Sequence, residues 1–275
     1  MSMKLSVSNI AWEQNELEEH LNLLKYLGCE GVEIAPSCIW KEPVNAGRSE
    51  IEDINKLISK YGLVVSAFHA LLFTRPDLYL FGDETIRMQT ATYLKELIQL
   101  AGKLSVPVLV YGSPASRKVS DKPYAKCYEI AVEAFRELGK EAKMHDTYFC
   151  IEPLGSTDSD FIHTADEAFG LIKDVGESHF GLHLDSKAMI EMNEDFESVF
   201  KKYASILRHF HVSEPGLSPP GASGFDHSSI GIELAKSSYN GFVSIEMKKG
   251  FGESGEVIKK AVSYVRKKYF QGDTR

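Results

Sequence analysis

Three carboxylates and one imidazole recur at matching places in the second half of the chain. Glu152, Asp185, His211 and Glu246 stand near the C-terminal ends of four strand-like runs, 148–154, 180–186, 208–214 and 242–248. Three acids drawn together in an apolar setting disfavour one another's ionisation, and an unpaired buried charge is costly. A divalent cation removes both problems. An oxygen-rich set with one imidazole suits Mn²⁺, Mg²⁺ or Co²⁺ and also admits Zn²⁺, with one or two positions left for substrate oxygens. The competing reading makes each residue an ordinary polar strand end, salt-bridged or capping a helix. Coincidence accounts well for any one of them and badly for four.

The elements that must position these residues alternate without a break. Apolar runs predict strands at 5–8, 31–36, 63–68 and 106–111, followed by the four donor-bearing runs. Helical spacing predicts helices at 15–27, 50–61, 84–104, 123–145, 164–175, 194–204, 228–238 and 254–269. In the first, Leu17, Leu21, Leu24 and Leu27 share a face, and Gly28 ends it. Eight strands in strict alternation with eight helices imply parallel strands joined by right-handed crossovers. The expected fold is therefore α/β, a (β/α)8 TIM barrel forming a single domain over 1–275. An open doubly wound sheet is the alternative, but no G-x-G-x-x-G follows the first strand. In a barrel the site lies at the C-terminal strand ends. Residues two apart share a side, so donors on strands five to eight would line one arc of the mouth.

Composition excludes several classes. With 43% apolar and 25% charged residues, the chain is of ordinary globular make-up rather than disordered. The net charge of −8 argues against nucleic-acid binding, which needs basic patches. No apolar run approaches the ~18–20 residues of a membrane span, and no leader-like segment opens the sequence. Cys29, Cys38, Cys127 and Cys150 lack paired spacing, which fits a reducing cytoplasm, and Cys150 reads as a buried thiol.

At the donor runs the sequence resembles the sugar phosphate isomerase/epimerase group of the xylose isomerase-like barrel superfamily. The resemblance rests on Ile151-Glu-Pro-Leu154, Leu184-Asp185, His209-Phe-His-Val-Ser213 and Ser244-Ile-Glu246, with Gly31-Val-Glu-Ile34 matching the second strand. The eight-unit order extends it over nearly the whole chain. It implies that Glu152, Asp185, His211 and Glu246 bind one divalent metal, often manganese. It further implies proton transfer next to a carbonyl through a metal-stabilised enediolate, with Glu152 and Glu246 as the catalytic acid–base pair acting on a small sugar or sugar phosphate.

The chain departs from the ketose 3-epimerases of that group at three places. Asp158 stands where they carry Glu, Ala188 where they carry His, and Leu217 where they carry Arg. The expected metal set is kept while the substrate-holding set is changed. A dehydratase acting on a keto-cyclitol would use the same metal and acid–base pair. An abasic-site endonuclease of the superfamily would need further histidines, yet 106–113 contains none. A sugar-binding barrel without turnover is the non-enzymatic alternative. Homo-oligomerisation is left open.

Other residues are candidates for the mouth. His69 ends the third strand and could hold a substrate hydroxyl or sit satisfied against a loop. Glu33 points inward by parity, toward a sugar hydroxyl or into a buried ion pair. Lys187 and Lys248 share parity with the acids two residues before them and could hold an anionic group, pair with those acids, or remain solvated. Trp12 and Trp40 could stack on a sugar ring or pack loops. Asp158 is a further candidate for substrate contact. The loop 215–224, dense in Gly and Pro, could be a lid bringing Asp226 and His227 into the site, or a plain surface excursion.

Overall fold

The computed structural model describes residues 2–270, so the ends of the expected 1–275 domain lie outside the described residues. Eight parallel strands close on themselves in sequence order. They are β1 (Lys4–Ser8), β2 (Gly31–Ile34), β3 (Val64–Phe68), β4 (Val108–Tyr111), β5 (Tyr148–Ile151), β6 (Phe180–Asp185), β7 (Leu207–Val212) and β8 (Phe242–Ile245). Closure leaves no unpaired edge, because β1 pairs with β8 as well as with β2. The expected barrel is what the chain forms.

The first five helices follow the predicted stretches: α1 (Leu17–Tyr26), α2 (Arg48–Lys60), α3 (Glu84–Lys103), α4 (Tyr124–Met144) and α5 (Ala165–Val175). Local chemistry sets several boundaries. Gly28 takes φ +72° after α1, Asp83 caps α3 through Ile86 N–H at 2.9 Å, and Thr164 caps α5 through Glu167 N–H at 3.2 Å. After β6 the count differs from expectation. Two helices, α6 (Ser186–Glu191) and α7 (Phe196–Tyr203), stand where one is predicted, followed by α8 (Ser228–Lys236) and α9 (Ser254–Tyr269). The extra helix starts directly on Asp185, whose Oδ1 accepts the Ala188 N–H at 3.1 Å.

Most of the core lies between barrel and helices. Tyr111, Phe135, Phe149 and Phe180 form one patch there, with Phe135 and Phe180 stacked at 5.1 Å. Such pairs contribute about 0.5–1.5 kcal/mol each beyond burial, and this patch fixes α4 against the staves that lead to the mouth. Inside the barrel a small apolar plug, Ala67, Val108, Val110 and Cys150, fills part of the interior. Nearer the mouth the interior turns polar: Glu33, His183, His209, His211 and Ser244 are all buried there.

Candidate metal centre

The four expected donors arrive from neighbouring staves. Asp185 ends β6 and pairs in register with His211 on β7, which pairs in turn with Ser244 on β8. Glu152 and Glu246 each lie one residue past a strand. Their amides still continue the ladder, Glu152 N–H to Tyr111 C=O at 3.3 Å and Glu246 N–H to Val212 C=O at 3.1 Å, so both side chains are held by sheet geometry.

Three carboxylate oxygens lie around one imidazole nitrogen. From His211 Nδ1 the distances are 3.4 Å to Glu246 Oε2, 3.9 Å to Glu152 Oε1 and 4.0 Å to Asp185 Oδ2. Donors bonded to one ion at about 2.1 Å stand ~3.0 Å apart at right angles and ~4.2 Å apart when opposed. The observed spacings fall inside that window. His211 Nδ1 is buried and makes no hydrogen bond, and its lone pair is turned toward the acids by the other side of the ring. Nε2 meets Glu33 Oε1 at 2.8 Å; a carboxylate only accepts, so Nε2 carries the proton and Nδ1 is free to ligate. A divalent cation fits these residues.

Electrostatics points the same way. Burial pushes the Glu152 carboxyl up to about 7 despite His211, and Glu246 adds to the rise. Burial, with Glu152 and Glu246 nearby, likewise takes Asp185 to about 7. For Glu246 burial is outweighed by His211 and His69, which hold it well below the usual carboxylate range. Glu33 and Glu246 overcome burial and raise His211 well above the ordinary imidazole range, so a cation at Nδ1 would take the place of a proton there. Neighbouring acids that resist joint ionisation are relieved by a positive charge among them.

The supporting residues explain this geometry. Glu33 is fully buried, with Oε1 accepting from His209 Nε2 at 3.1 Å as well as from His211, and Oε2 accepting from Ser244 O–H at 2.6 Å. Both oxygens are engaged below the mouth, so a sugar-hydroxyl contact by Glu33 gives way to the buried polar pairing. His69 donates from Nδ1 to Glu246 Oε1 at 3.1 Å and accepts at Nε2 from Ser8 O–H at 2.6 Å. It therefore orients Glu246 and has no ring nitrogen left for substrate. Ser213 O–H donates to Asp185 Oδ2 at 2.6 Å. Gly112 follows β4 so close to Glu152 that a Cβ there would lie 2.2 Å from Oε2; only glycine allows the carboxylate its position. Ser213 and Ser244 stand inside the matched runs 209–213 and 244–246, whereas Ser8 and Gly112 belong to no motif.

Several candidates take other places. Asp226 is 74% exposed and pairs with Lys268 at 3.2 Å, outside the mouth. His227 is buried between Tyr269 OH, 2.7 Å from Nδ1, and Glu214 Oε1, 3.3 Å from Nε2. The 215–224 loop is not a free lid: Glu214 beneath it accepts the Gly221 and Ser223 N–H groups at 2.5 and 2.7 Å. Lys248 is exposed and makes no ion pair among the described residues. Lys187 pairs with Asp158 and, at 3.4 Å, with Glu191, so Asp158, one of the departures from the ketose-epimerase pattern, is tied up in an ion pair. Trp12 is buried with one face stacked on His20 at 4.9 Å. It walls a cleft of about 480 Å³ together with Glu13, Lys249 and Ser254. Trp40 is buried, all four cysteines are free, and no described helix is long and apolar enough to cross a membrane.

Comparison with known proteins agrees with this architecture. A family model described as a xylose isomerase-like TIM barrel matches residues 21–268. A D-psicose 3-epimerase of Enterocloster bolteae is 22% identical over 252 residues, covering 89% of this chain and 82% of that protein. Among solved structures, an apo 3-keto-D-glucoside 4-epimerase from E. coli superposes with a TM-score of 0.82 at 18% identity, over 97% of this chain and all of the other. A D-psicose 3-epimerase from Clostridium cellulolyticum H10, solved with D-tagatose, gives 0.81 at 20% identity over 97% and 99%. At these identities the structures testify to a shared fold.

Proposed function

Because the chain belongs to the xylose isomerase-like TIM barrel family, we propose that it is a single-domain, metal-dependent isomerase or epimerase. It would move a proton next to the carbonyl of a small sugar or sugar phosphate. The observation that carries this reading is the convergence of Glu152, Asp185 and Glu246 within 3.4–4.0 Å of an unpartnered His211 Nδ1. The epimerases among its relatives support the substrate class, and manganese is the first candidate for the ion.

A divalent ion held by these four residues would supply Lewis acidity that lowers the cost of removing a proton next to a carbonyl. The protein does the rest. Glu246 is the one donor with appreciable exposure, 18% of its side chain, so substrate meets it first. His69 holds its Oε1 at 3.1 Å, which fixes the orientation of the carboxylate. Glu152 reaches in from β5, three staves away, and approaches the substrate from another side. Two carboxylates in environments that separate their proton affinities are the arrangement acid–base catalysis uses. Glu246 serves as the base that takes the proton, and Glu152 returns one to the other face. With Asp158 tied to Lys187, and with Ala188 and Leu217 lacking polar side chains, the hydroxyl-holding contacts differ from those of ketose 3-epimerases, so the substrate differs too.

The test is deuterium incorporation at the carbon next to the carbonyl when metal-loaded protein meets a panel of ketoses and keto-sugars in D₂O. Exchange is expected with at least one, and Glu246→Gln should reduce it by ~10²-fold or more while the circular dichroism spectrum is unchanged. Undiminished exchange in that variant would remove Glu246 from the mechanism.

A further inference from the structure

His183 is left without a role by the four-residue centre. It lies on β6 two residues before Asp185, and strand alternation turns it to the same interior side. It is completely buried, and neither ring nitrogen has a hydrogen-bond partner among the described residues. An imidazole with both nitrogens unsatisfied in the interior is costly, since each buried polar group left unpaired forfeits about 1–3 kcal/mol. A neutral imidazole protonates one ring nitrogen and leaves a lone pair on the other.

What stands near that nitrogen is the metal centre. Nε2 is 3.6 Å from Glu152 Oε1, too far for a hydrogen bond and within the spacing of two donors on one ion. Glu152, His183 and His211 each present a ligand atom, all within 4.8 Å of one another. The ring is held by packing: its centroid is 4.2 Å from that of His211, edge to face, and 5.5 Å from His209, nearly parallel. Glu152 Oε1 stands near both His183 Nε2 and His211 Nδ1, which sets His183 beside the donors already described.

Resting on the reading of the mouth as a metal centre, we infer that His183 is a fifth protein donor, so that the site presents two nitrogens and three oxygens. The consequence is selectivity. A second imidazole moves the site from the hard, oxygen-loving ions toward Co²⁺, Zn²⁺ and Ni²⁺, which bind imidazole well, and away from Mg²⁺. It also leaves fewer coordination positions for substrate oxygens than four ligands would.

The proton NMR spectrum of the Co²⁺-loaded protein decides between the two shells without any variant. Two sets of hyperfine-shifted imidazole resonances are expected, and a single set would overturn the inference. His183→Asn should then remove one set and weaken Co²⁺ about tenfold or more, while Mn²⁺ weakens by about threefold or less. A hydrogen-bonding role toward Glu152 alone would give one set from the start, and equal losses for the two ions would likewise count against a fifth donor. If no divalent ion binds the wild-type protein in equilibrium dialysis, the metal-centre reading itself falls and this inference with it. A single hyperfine set on a protein that does bind Co²⁺ refutes only the fifth donor.

Discussion

At the scale of residues, the centre depends on groups that never reach the mouth. Glu33 sets the tautomer of His211 by accepting its Nε2 proton at 2.8 Å while also accepting from His209 and Ser244. Glu33→Gln keeps the volume but replaces one acceptor oxygen with an amide that can only donate, so one of the three donors loses its partner and His211 loses its fixed orientation. Ion affinity should fall about 10–100-fold, as expected for loss of a ligand's supporting carboxylate, read as free Mn²⁺ by electron paramagnetic resonance during titration. An unchanged affinity would show that packing alone orients His211. The direction of Glu33 was legible from the alternation of Val32 and Ile34, but its depth was not. Parity says which side of a strand a residue faces and nothing about how far below the rim it sits. The same limit hid the pairing of His69 with Ser8 and Glu246, which joins residues up to 177 positions apart.

At the scale of elements, strands and long helices were readable because their apolar period is sustained over several turns, while short connections obey local chemistry that a period cannot register. The helix α6 is the clearest instance. It is six residues long and begins where Asp185 Oδ1 accepts the Ala188 N–H; the residue singled out as a metal donor is also a helix cap, and the sequence pattern offered no reason to expect both. The 215–224 loop illustrates the same limit, since its Gly and Pro content fits a lid or a surface excursion alike while the anchor lies just before it. Glu214 is fully buried and accepts two loop amides, with His227 Nε2 3.3 Å away. Glu214→Ala should therefore free the loop, raising hydrogen exchange at the amides of 221 and 223 by at least about tenfold and lowering global stability by about 3 kcal/mol. Exchange at those amides as slow as in the wild type would mean that backbone geometry, not Glu214, holds the loop.

At the scale of the molecule, closure of the barrel brings β1 against β8 and converts residues spread over nearly a hundred positions into one cluster. No local pattern encodes closure; it followed from counting eight units, and with it came the expectation that strands five to eight are neighbours. Closure also has a cost, because it confines Glu152, Asp185 and Glu246 around a point where burial already raises two of them to about 7. A cation held there would relieve that repulsion, and an ion that binds only the native arrangement must stabilise the whole barrel. At a free ion concentration of about 100 times Kd the gain is about 2.7 kcal/mol, which for a chain of this size corresponds to a rise in Tm of roughly 5 °C. Calorimetry with and without a chelator measures it directly. The increment should disappear in a protein carrying Asp185→Ala together with Glu246→Ala, because those substitutions remove two donors and relieve the repulsion at once. An equal rise in that variant would place the stabilising ion elsewhere on the molecule, and no rise in the wild type would mean the acids are tolerated without one.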